Sequence, residues 1–251
     1  MNGRRVKTST WGNLLLLALL GVAWQIQSQS AQAQDAKPTY PSMAPTDQYL
    51  MPDRNAEIAL ARTAAPKSIS ADATVMVLTR HGYETAVKGT NGFVCIVDRA
   101  WSSPFDDPGF WNPKNRSPIC YNRAAARSSL LYTFNRVKLV LSGMTKAQML
   151  ERIKAAVANK ELPMPEPGAM SYMLSKESYL NDQAGHWVPH LMFHIPKTDG
   201  ASWGANLDGS PVMVAPYHLV PEPETLFLVP VAKWSDGTPA SQGRPTGLDR
   251  P

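Results

Sequence analysis

The stretch Thr74-Val75-Met76-Val77-Leu78, followed by Phe93-Val94-Cys95-Ile96-Val97, decides the fold of this chain. Both segments are apolar and rich in β-branched residues, which is typical of strands. The second segment does not alternate apolar and polar residues, as a strand with one solvent-exposed face would. Residues 83–87 lie between them after a turn at His81-Gly82, and Asn91-Gly92 is a strong turn signal. These three segments predict a β-meander.

Helical patterns occupy the middle of the chain. Residues 57–65 are helix formers that end before Pro66, and residues 124–141 are mostly compatible with a helix. Thr145 and Gln148 form a capping-box pattern, which predicts the start of another helix. These patterns predict two to three helices.

More strands are predicted after the proline-rich stretch 163–168. The candidates are residues 170–175, 187–195, 212–215 and 226–231. The last of these is almost wholly apolar, so we expect it to be central in the sheet. Strands, then helices, then strands predict an α+β fold with an antiparallel or mixed sheet, in a single globular domain over residues 55–238.

The first 33 residues have the three parts of a secretory signal peptide. Arg4, Arg5 and Lys7 give a positive start, residues 14–24 are an uncharged apolar run, and Ala31-Gln32-Ala33 suits a signal peptidase. The apolar run is about half the roughly 20 residues of a membrane-spanning helix. We therefore expect an exported, periplasmic or extracellular protein without membrane association after cleavage; an uncleaved anchor is the alternative.

Composition outside the signal segment argues against a nucleic-acid partner. The chain has 25 basic and 20 acidic residues, and residues 1–33 hold three of the basic ones and none of the acidic ones. The remainder has a net charge of only +2 and no run of clustered Lys or Arg. Residues 34–53 and 239–251 are expected to be a flexible leader and a flexible tail.

Cys95 and Cys120 are the only cysteines of the chain. In an exported protein, a pair at this spacing predicts a Cys95–Cys120 disulfide. Two buried free thiols are the alternative, because Cys95 lies within an apolar strand pattern.

The segment 101–122 is predicted to be a long loop that Cys120 ties to the sheet. Aromatic residues and prolines alternate in it. Trp101 and Trp111 are candidate ligand-binding residues, because rings near charged groups can stack on a sugar or an amphipathic ligand. Alternatively, these rings pack over the sheet and close the core.

Three histidines, His186, His190 and His194, are spaced four residues apart. Pro189 disfavours a helix here, so a strand is expected, on which His190, Met192 and His194 share a face. Successive histidines would then be about 13 Å apart, which is too far for one metal ion. His190, Met192 and His194, which share one face of the strand, are candidate ligand-binding residues.

Catalytic or metal-binding roles would need ligands from other segments. His186 and His190 are candidate bases or metal ligands, with Glu84 as a candidate catalytic acid. Asp106, His81 and His218 are further possible partners. The acidic pairs Asp106-Asp107 and Glu222/Glu224 are typical of solvated turns. The usual hydrolase, metalloprotease and nucleotide-binding motifs are absent from the sequence, so no cofactor is expected.

Three segments carry a resemblance to other proteins: Lys88-Gly-Thr-Asn-Gly-Phe-Val-Cys95, Gly185-His-Trp-Val-Pro-His-Leu-Met-Phe193 and Val231-Ala-Lys-Trp-Ser-Asp-Gly-Thr238. They resemble segments of a group of uncharacterised exported bacterial proteins. The resemblance implies a bacterial, exported, globular domain, and it implies no functional residues because the group has no assigned activity.

Two functional hypotheses follow. The first is a non-catalytic domain that binds a small molecule or a protein partner in a cleft between the shared face of His190, Met192 and His194 and the loop 101–122. The second is a periplasmic hydrolase-type enzyme with a histidine base or a histidine-bound metal.

Overall fold

A computed structural model describes residues 40–182, 185–214 and 220–240, together with Gly3. The predicted signal peptide otherwise lies outside the described residues, as do residues 34–39 of the leader, His218 and residues 241–251 of the tail. No helix within the described ranges is both long and apolar enough to cross a membrane.

One mixed sheet of eight strands organises the described part of the chain, in the order β2-β1-β3-β4-β5-β6-β8-β7. The strands are β1 Thr74–Thr79, β2 Gly82–Val87, β3 Val94–Asp98, β4 Ser117–Tyr121, β5 Met170–Met173, β6 His190–Pro196, β7 Met213–Val214 and β8 Glu224–Pro230. All neighbours are antiparallel except β1 and β3. The predicted α+β fold with a mixed sheet is confirmed.

The described residues contain five α-helices, so the prediction of two to three was too low. They are α1 Arg54–Arg62, α2 Lys67–Ser70, α3 Arg123–Arg127, α4 Leu130–Leu141 and α5 Lys146–Ala158. The helix expected over residues 124–141 is divided because Ser128 leaves helical geometry, with φ −125° and ψ −83°. The predicted capping box of Thr145 and Gln148 is confirmed at the start of α5.

The predicted meander is wrong, because β3 does not follow β2 in the sheet. It lies on the other side of β1 and runs parallel to it. Residues 88–93 cross the start of β1, where the Thr90 amide donates to the Asp72 carbonyl at 2.8 Å and the Thr74 amide donates to the Phe93 carbonyl at 2.9 Å. This order buries the apolar β3 on both faces and leaves Glu84 of β2 exposed at the edge.

The last part of the predicted loop 101–122 is in fact β4, between β3 and β5. Cys120 of β4 lies directly opposite Cys95 of β3, with 4.0 Å between their Cα atoms. The predicted disulfide is confirmed, and both of its residues are fully buried. The strand expected to be central, residues 226–231, corresponds to β8 and is second from the edge.

Different helices pack on the two faces of the sheet. Helix α1 packs on β1, β3 and β4 over the face that holds Cys95 and Cys120. On the other face, α3 and α4 lie over Ile96, Ile119 and Met192. This second face carries the candidate functional site.

The aromatic rings of segment 101–122 pack into a second core. Trp101, Phe105, Phe110 and Trp111 are all buried, against apolar residues of α4 and α5. Phe110 and Trp111 meet edge to face, with 4.7 Å between ring centroids. These rings therefore close the core, which is the second of the two alternatives for this segment.

Part of the segment expected to be a flexible leader packs against the same core. Tyr49 is fully buried, and its hydroxyl donates to the Trp111 carbonyl at 2.8 Å. Tyr40, Met43 and Leu50 are partly buried against the cluster. The composition of residues 34–53 did not indicate these few apolar anchors.

A buried ion pair joins α1 to the end of β3. The Arg99 guanidinium contacts Glu57 Oε1 at 2.9 Å and donates to the carbonyls of Tyr49, at 2.6 Å, and Val97. Glu57 Oε1 also accepts from the Leu78 amide at 3.2 Å. The pair thereby connects α1, two strands and the segment around Tyr49.

We predict that Gly89→Ala destabilises the protein by at least about 2 kcal/mol. A Cβ at this position would lie 2.1 Å from the Thr74 nitrogen and 2.3 Å from the Ala73 carbonyl carbon, so the crossing chain would have to move away from β1. Urea-induced unfolding followed by tryptophan fluorescence measures the loss.

The control for this prediction is Gly143→Ala. Gly143 has a φ of +78°, but no heavy atom lies within 4 Å of the added Cβ, so only the backbone conformation is penalised, by roughly 1 kcal/mol. Equal losses in the two variants would contradict the tight crossing at Gly89.

Candidate functional site

A cavity of about 420 Å³ lies between the sheet and α4. Its floor is formed by side chains of β4, β6 and β8, its roof by α4, and its walls by the segments 98–107 and 220–225. A cavity of this size matches the range in which proteins bind small molecules.

The floor includes the face of β6 that the sequence predicted. His190, Met192 and His194 are buried and line the cavity, whereas Leu191 and Phe193 point to the other side of the sheet. This alternation follows from the two-residue period of a strand. The predicted ligand-binding candidates of β6 therefore lie together at one cavity.

Apolar side chains from neighbouring strands complete this floor. Leu228 of β8 is directly opposite Met192, and Leu226 is opposite His194. Ile119 of β4 lines the same space. The middle of the floor is therefore apolar, and its polar groups lie around the periphery.

The roof presents polar side chains of α4 and of its N-terminal cap to this floor. The cap, Ser129, lines the cavity together with Tyr132, Thr133 and Arg136 of the helix. The Thr133 hydroxyl is 3.4 Å from the hydroxyl of Tyr121. The Ser129 hydroxyl is buried and has no hydrogen-bond partner within the described part of the chain.

A bidentate ion pair connects one wall of the cavity to its roof. Arg136 donates to both oxygens of Glu222, at 2.6 and 2.8 Å, and both side chains are 4 % exposed. Its third nitrogen donates to the carbonyls of Trp101, at 2.9 Å, and Ser103. The expectation that Glu222 is a solvated turn residue is wrong, because Arg136 holds its carboxylate inside the protein.

A chain of hydrogen bonds joins three strands at one end of the cavity. Ser171 Oγ is 3.0 Å from His194 Nε2, and His194 Nδ1 is 3.0 Å from Glu224 Oε2. The order serine, histidine, carboxylate is that of a catalytic triad. Ser171, however, is fully buried and does not line the cavity. The histidine and the carboxylate reach the cavity, and the serine lies behind them.

Sequence reasoning did not identify this chain of three residues. Ser171, His194 and Glu224 come from β5, β6 and β8, with no spacing motif among them. The pattern around Glu224 predicts a solvated turn residue, which is wrong, because its side chain is only 13 % exposed and contacts His194. Only the position of His194 on the buried face of β6 could have indicated the site.

His190 is a neutral base at the other end of β6. Its Nδ1 is 2.8 Å from the Val188 carbonyl, which only accepts, so Nδ1 carries the proton and Nε2 the lone pair. Burial lowers the pKa of His190 to about 4, and the bond to Val188 opposes this effect only in part. At neutral pH the imidazole therefore offers an acceptor and no positive charge.

Asp98 stands at the end of β3, where the sheet meets the wall. Its side chain is buried, and Oδ1 accepts from the Arg99 amide at 2.8 Å and from the Ser102 hydroxyl at 2.7 Å. Burial raises the pKa of the Asp98 carboxyl, and these two hydrogen bonds act in the opposite direction. The sequence offered no signal for this residue.

The other candidates from the sequence lie elsewhere. His186 is exposed, with its ring 5.4 Å from that of Trp234, and Glu84 accepts from the Thr79 hydroxyl at 3.0 Å on the edge strand β2. His81 and Asp106 are exposed and do not line the cavity. The structure therefore does not bring any of these four to His190.

Trp101 and Trp111, the two ligand-binding candidates in the predicted aromatic loop, belong to the buried aromatic core. Neither lines the cavity. Among the described residues, no group of three or more His, Cys, Asp or Glu side chains is arranged to hold a metal ion.

Comparison of the chain with known protein families, with curated proteins and with solved structures finds no match.

We predict that His190 makes the protein acid-sensitive between pH 6.5 and pH 4. The unfolded chain binds a proton near pH 6.5, whereas the folded chain resists protonation until about pH 4. Stability is therefore complete above pH 6.5, and it falls by on the order of 3 kcal/mol as the pH drops to 4. Urea unfolding across this range should show a flatter pH dependence for His190→Gln than for the wild type.

His186→Gln is the matched control, because His186 is exposed. This variant should keep the pH dependence of the wild type. If His190→Gln and the wild type lost stability equally between pH 6.5 and 4, the buried neutral state of His190 would be contradicted.

Proposed function

We propose that this protein is an exported, non-catalytic binding module that holds a small, mainly apolar molecule in the cavity beneath α4. The observation that carries the proposal is the cavity of about 420 Å³, whose apolar floor is bordered by the polar side chains of Asp98, His190 and His194. A few fixed polar groups around an apolar space are typical of small-molecule sites.

The polar groups of the cavity favour binding over chemistry. Arg136 and Glu222 occupy each other, so neither is available to activate a substrate. His190 holds its proton on Nδ1 against Val188, which leaves an acceptor but no acid. These groups are suited to orienting a ligand in one position.

Export is supported by two observations. Residues 1–33 have the charge and hydropathy pattern of a signal peptide. The Cys95–Cys120 disulfide is of a kind that persists in oxidising compartments and is rare in the cytosol. We propose the periplasm or the extracellular space as the location, in agreement with the resemblance to exported bacterial proteins.

We predict that the mature protein binds the neutral fluorophore N-phenyl-1-naphthylamine at a single saturable site. Met192→Trp should weaken this binding at least tenfold, because the larger side chain would fill the middle of the cavity floor. Fluorescence titration measures the dissociation constants of the wild type and of the variant. Phe193→Trp, on the opposite face of the same strand and 36 % exposed, should bind the probe as the wild type does.

Absence of saturable binding by the wild type would reject the binding function. An equal loss in Met192→Trp and Phe193→Trp would reject this cavity as the site.

A hydrolase is the second candidate function, and the hydrogen-bonded order Ser171, His194, Glu224 favours it. In such an enzyme the Ser171 hydroxyl would attack an ester carbonyl while His194 Nε2 takes its proton. The ester C–O bond would break, the alcohol would leave with that proton, and water would then hydrolyse the acyl-serine to free the acid. The complete burial of Ser171 is the argument against it.

A fluorophosphonate probe separates the two functions. We expect no labelling of Ser171, because a substrate in the cavity would not reach its hydroxyl. Mass spectrometry of the treated protein shows which residue carries the probe. Labelling that disappears in Ser171→Ala, together with loss of p-nitrophenyl acetate hydrolysis, would favour the hydrolase instead.

A further inference from the structure

Around the cavity, the arginines have carboxylate partners, whereas some of the carboxylates have no basic partner among the described residues. Arg99 is neutralised by Glu57 at 2.9 Å, and Arg136 is neutralised by Glu222 at 2.6 Å. Both guanidinium groups are therefore already paired with carboxylates of the protein. An anionic ligand would have to compete with those internal partners.

The remaining charged groups of the lining are mostly acidic. They are the carboxylates of Asp98, Asp107 and Glu224, the last of which contacts His194 Nδ1, and the ammonium group of Lys197. Lys197 is exposed, and its ammonium group donates to the carbonyls of Val220, at 3.1 Å, and Glu224. The cavity consequently has an excess of negative charge.

Asp98 is the most buried of these three carboxylates. Oδ1 accepts from the Arg99 amide and the Ser102 hydroxyl, but no residue of the described ranges donates to Oδ2. A buried carboxylate is costly unless it is paired. Burial raises the pKa of Asp98, although its hydrogen bonds and the charges of Arg99 and Arg136 act in the opposite direction. A positively charged donor at Oδ2 would remove that cost.

A second group indicates a ligand that donates hydrogen bonds. The lone pair on His190 Nε2 can only accept while the ring is neutral. Between these groups, Ile119, Met192 and Leu228 offer an apolar surface.

We propose that the ligand of this cavity is an amphipathic organic cation, an amine whose ammonium group pairs with Asp98 and whose apolar body lies on Ile119, Met192 and Leu228. This inference rests on the proposed binding function and specifies its ligand class. An acid finds no unpaired cation among the buried groups, and a polyol would leave the apolar floor poorly covered.

Three probes of similar size test the charge of the ligand: 2-phenylethylamine, 2-phenylethanol and 3-phenylpropanoate. Isothermal titration calorimetry of the mature protein at pH 7 should show the amine binding at least about tenfold more tightly than the alcohol, because a charge-assisted hydrogen bond is stronger than a neutral one. The carboxylate should bind most weakly.

Asp98→Asn should erase the advantage of the amine and leave the affinity for the alcohol within about twofold. The amide oxygen can still accept from the Arg99 amide and Ser102, so the variant should keep the fold. Glu151→Gln removes one negative charge from the exposed part of α5 and should keep the full preference for the amine.

Equal binding of amine and alcohol by the wild type, or tightest binding of the carboxylate, would overturn the inference. So would a preference for the amine that survives in Asp98→Asn. If N-phenyl-1-naphthylamine binds and the amine does not, the ligand class is wrong but the binding function stands. If no probe binds, the binding function itself fails.

Discussion

The rest of the structure depends on the pairing of the buried Arg99 guanidinium with Glu57 and two backbone carbonyls. An unmatched charge in this position would cost about 3–5 kcal/mol, so the fold must bring Glu57 and the carbonyls of Tyr49 and Val97 to it. These contacts hold α1 and the segment around Tyr49 against the sheet. Asp98, the neighbouring residue and the last of β3, lines the cavity beneath α4. Two consecutive residues thus dock α1 on the sheet and supply an acid to the cavity.

Part of the roof carries short side chains. Thr133 of α4 and the cap residue Ser129 line the cavity there, beside the larger Tyr132. Arg136 is long enough to fill this space, but its side chain is turned aside to Glu222. The ion pair thus holds the wall at a distance from the floor. A cavity in a well-packed interior forgoes packing contacts, which a ligand of the kind we propose would supply.

The features that could be predicted from sequence are local ones. The shared face of His190 and His194 follows from the period of a strand, and the cap at Thr145 follows from spacing within one helical turn. The disulfide followed from the export signal and the cysteine count. The position of β3, the strand character of residues 117–121 and the approach of Ser171 to His194 depend on which distant strands pair. Hydrophobic pattern gives the face of a strand, but it does not specify its neighbour.

The disulfide has a further meaning for the assembly of the sheet. Cys95 and Cys120 are directly opposed in antiparallel neighbours, on the face that α1 covers. A slip of one residue between β3 and β4 would turn one sulfur toward α1 and the other toward the cavity, where they could not bond. The bond therefore restricts the alignment of the two strands. In an oxidised chain, β3 and β4 can pair only in registers that keep Cys95 and Cys120 on the same face and close together.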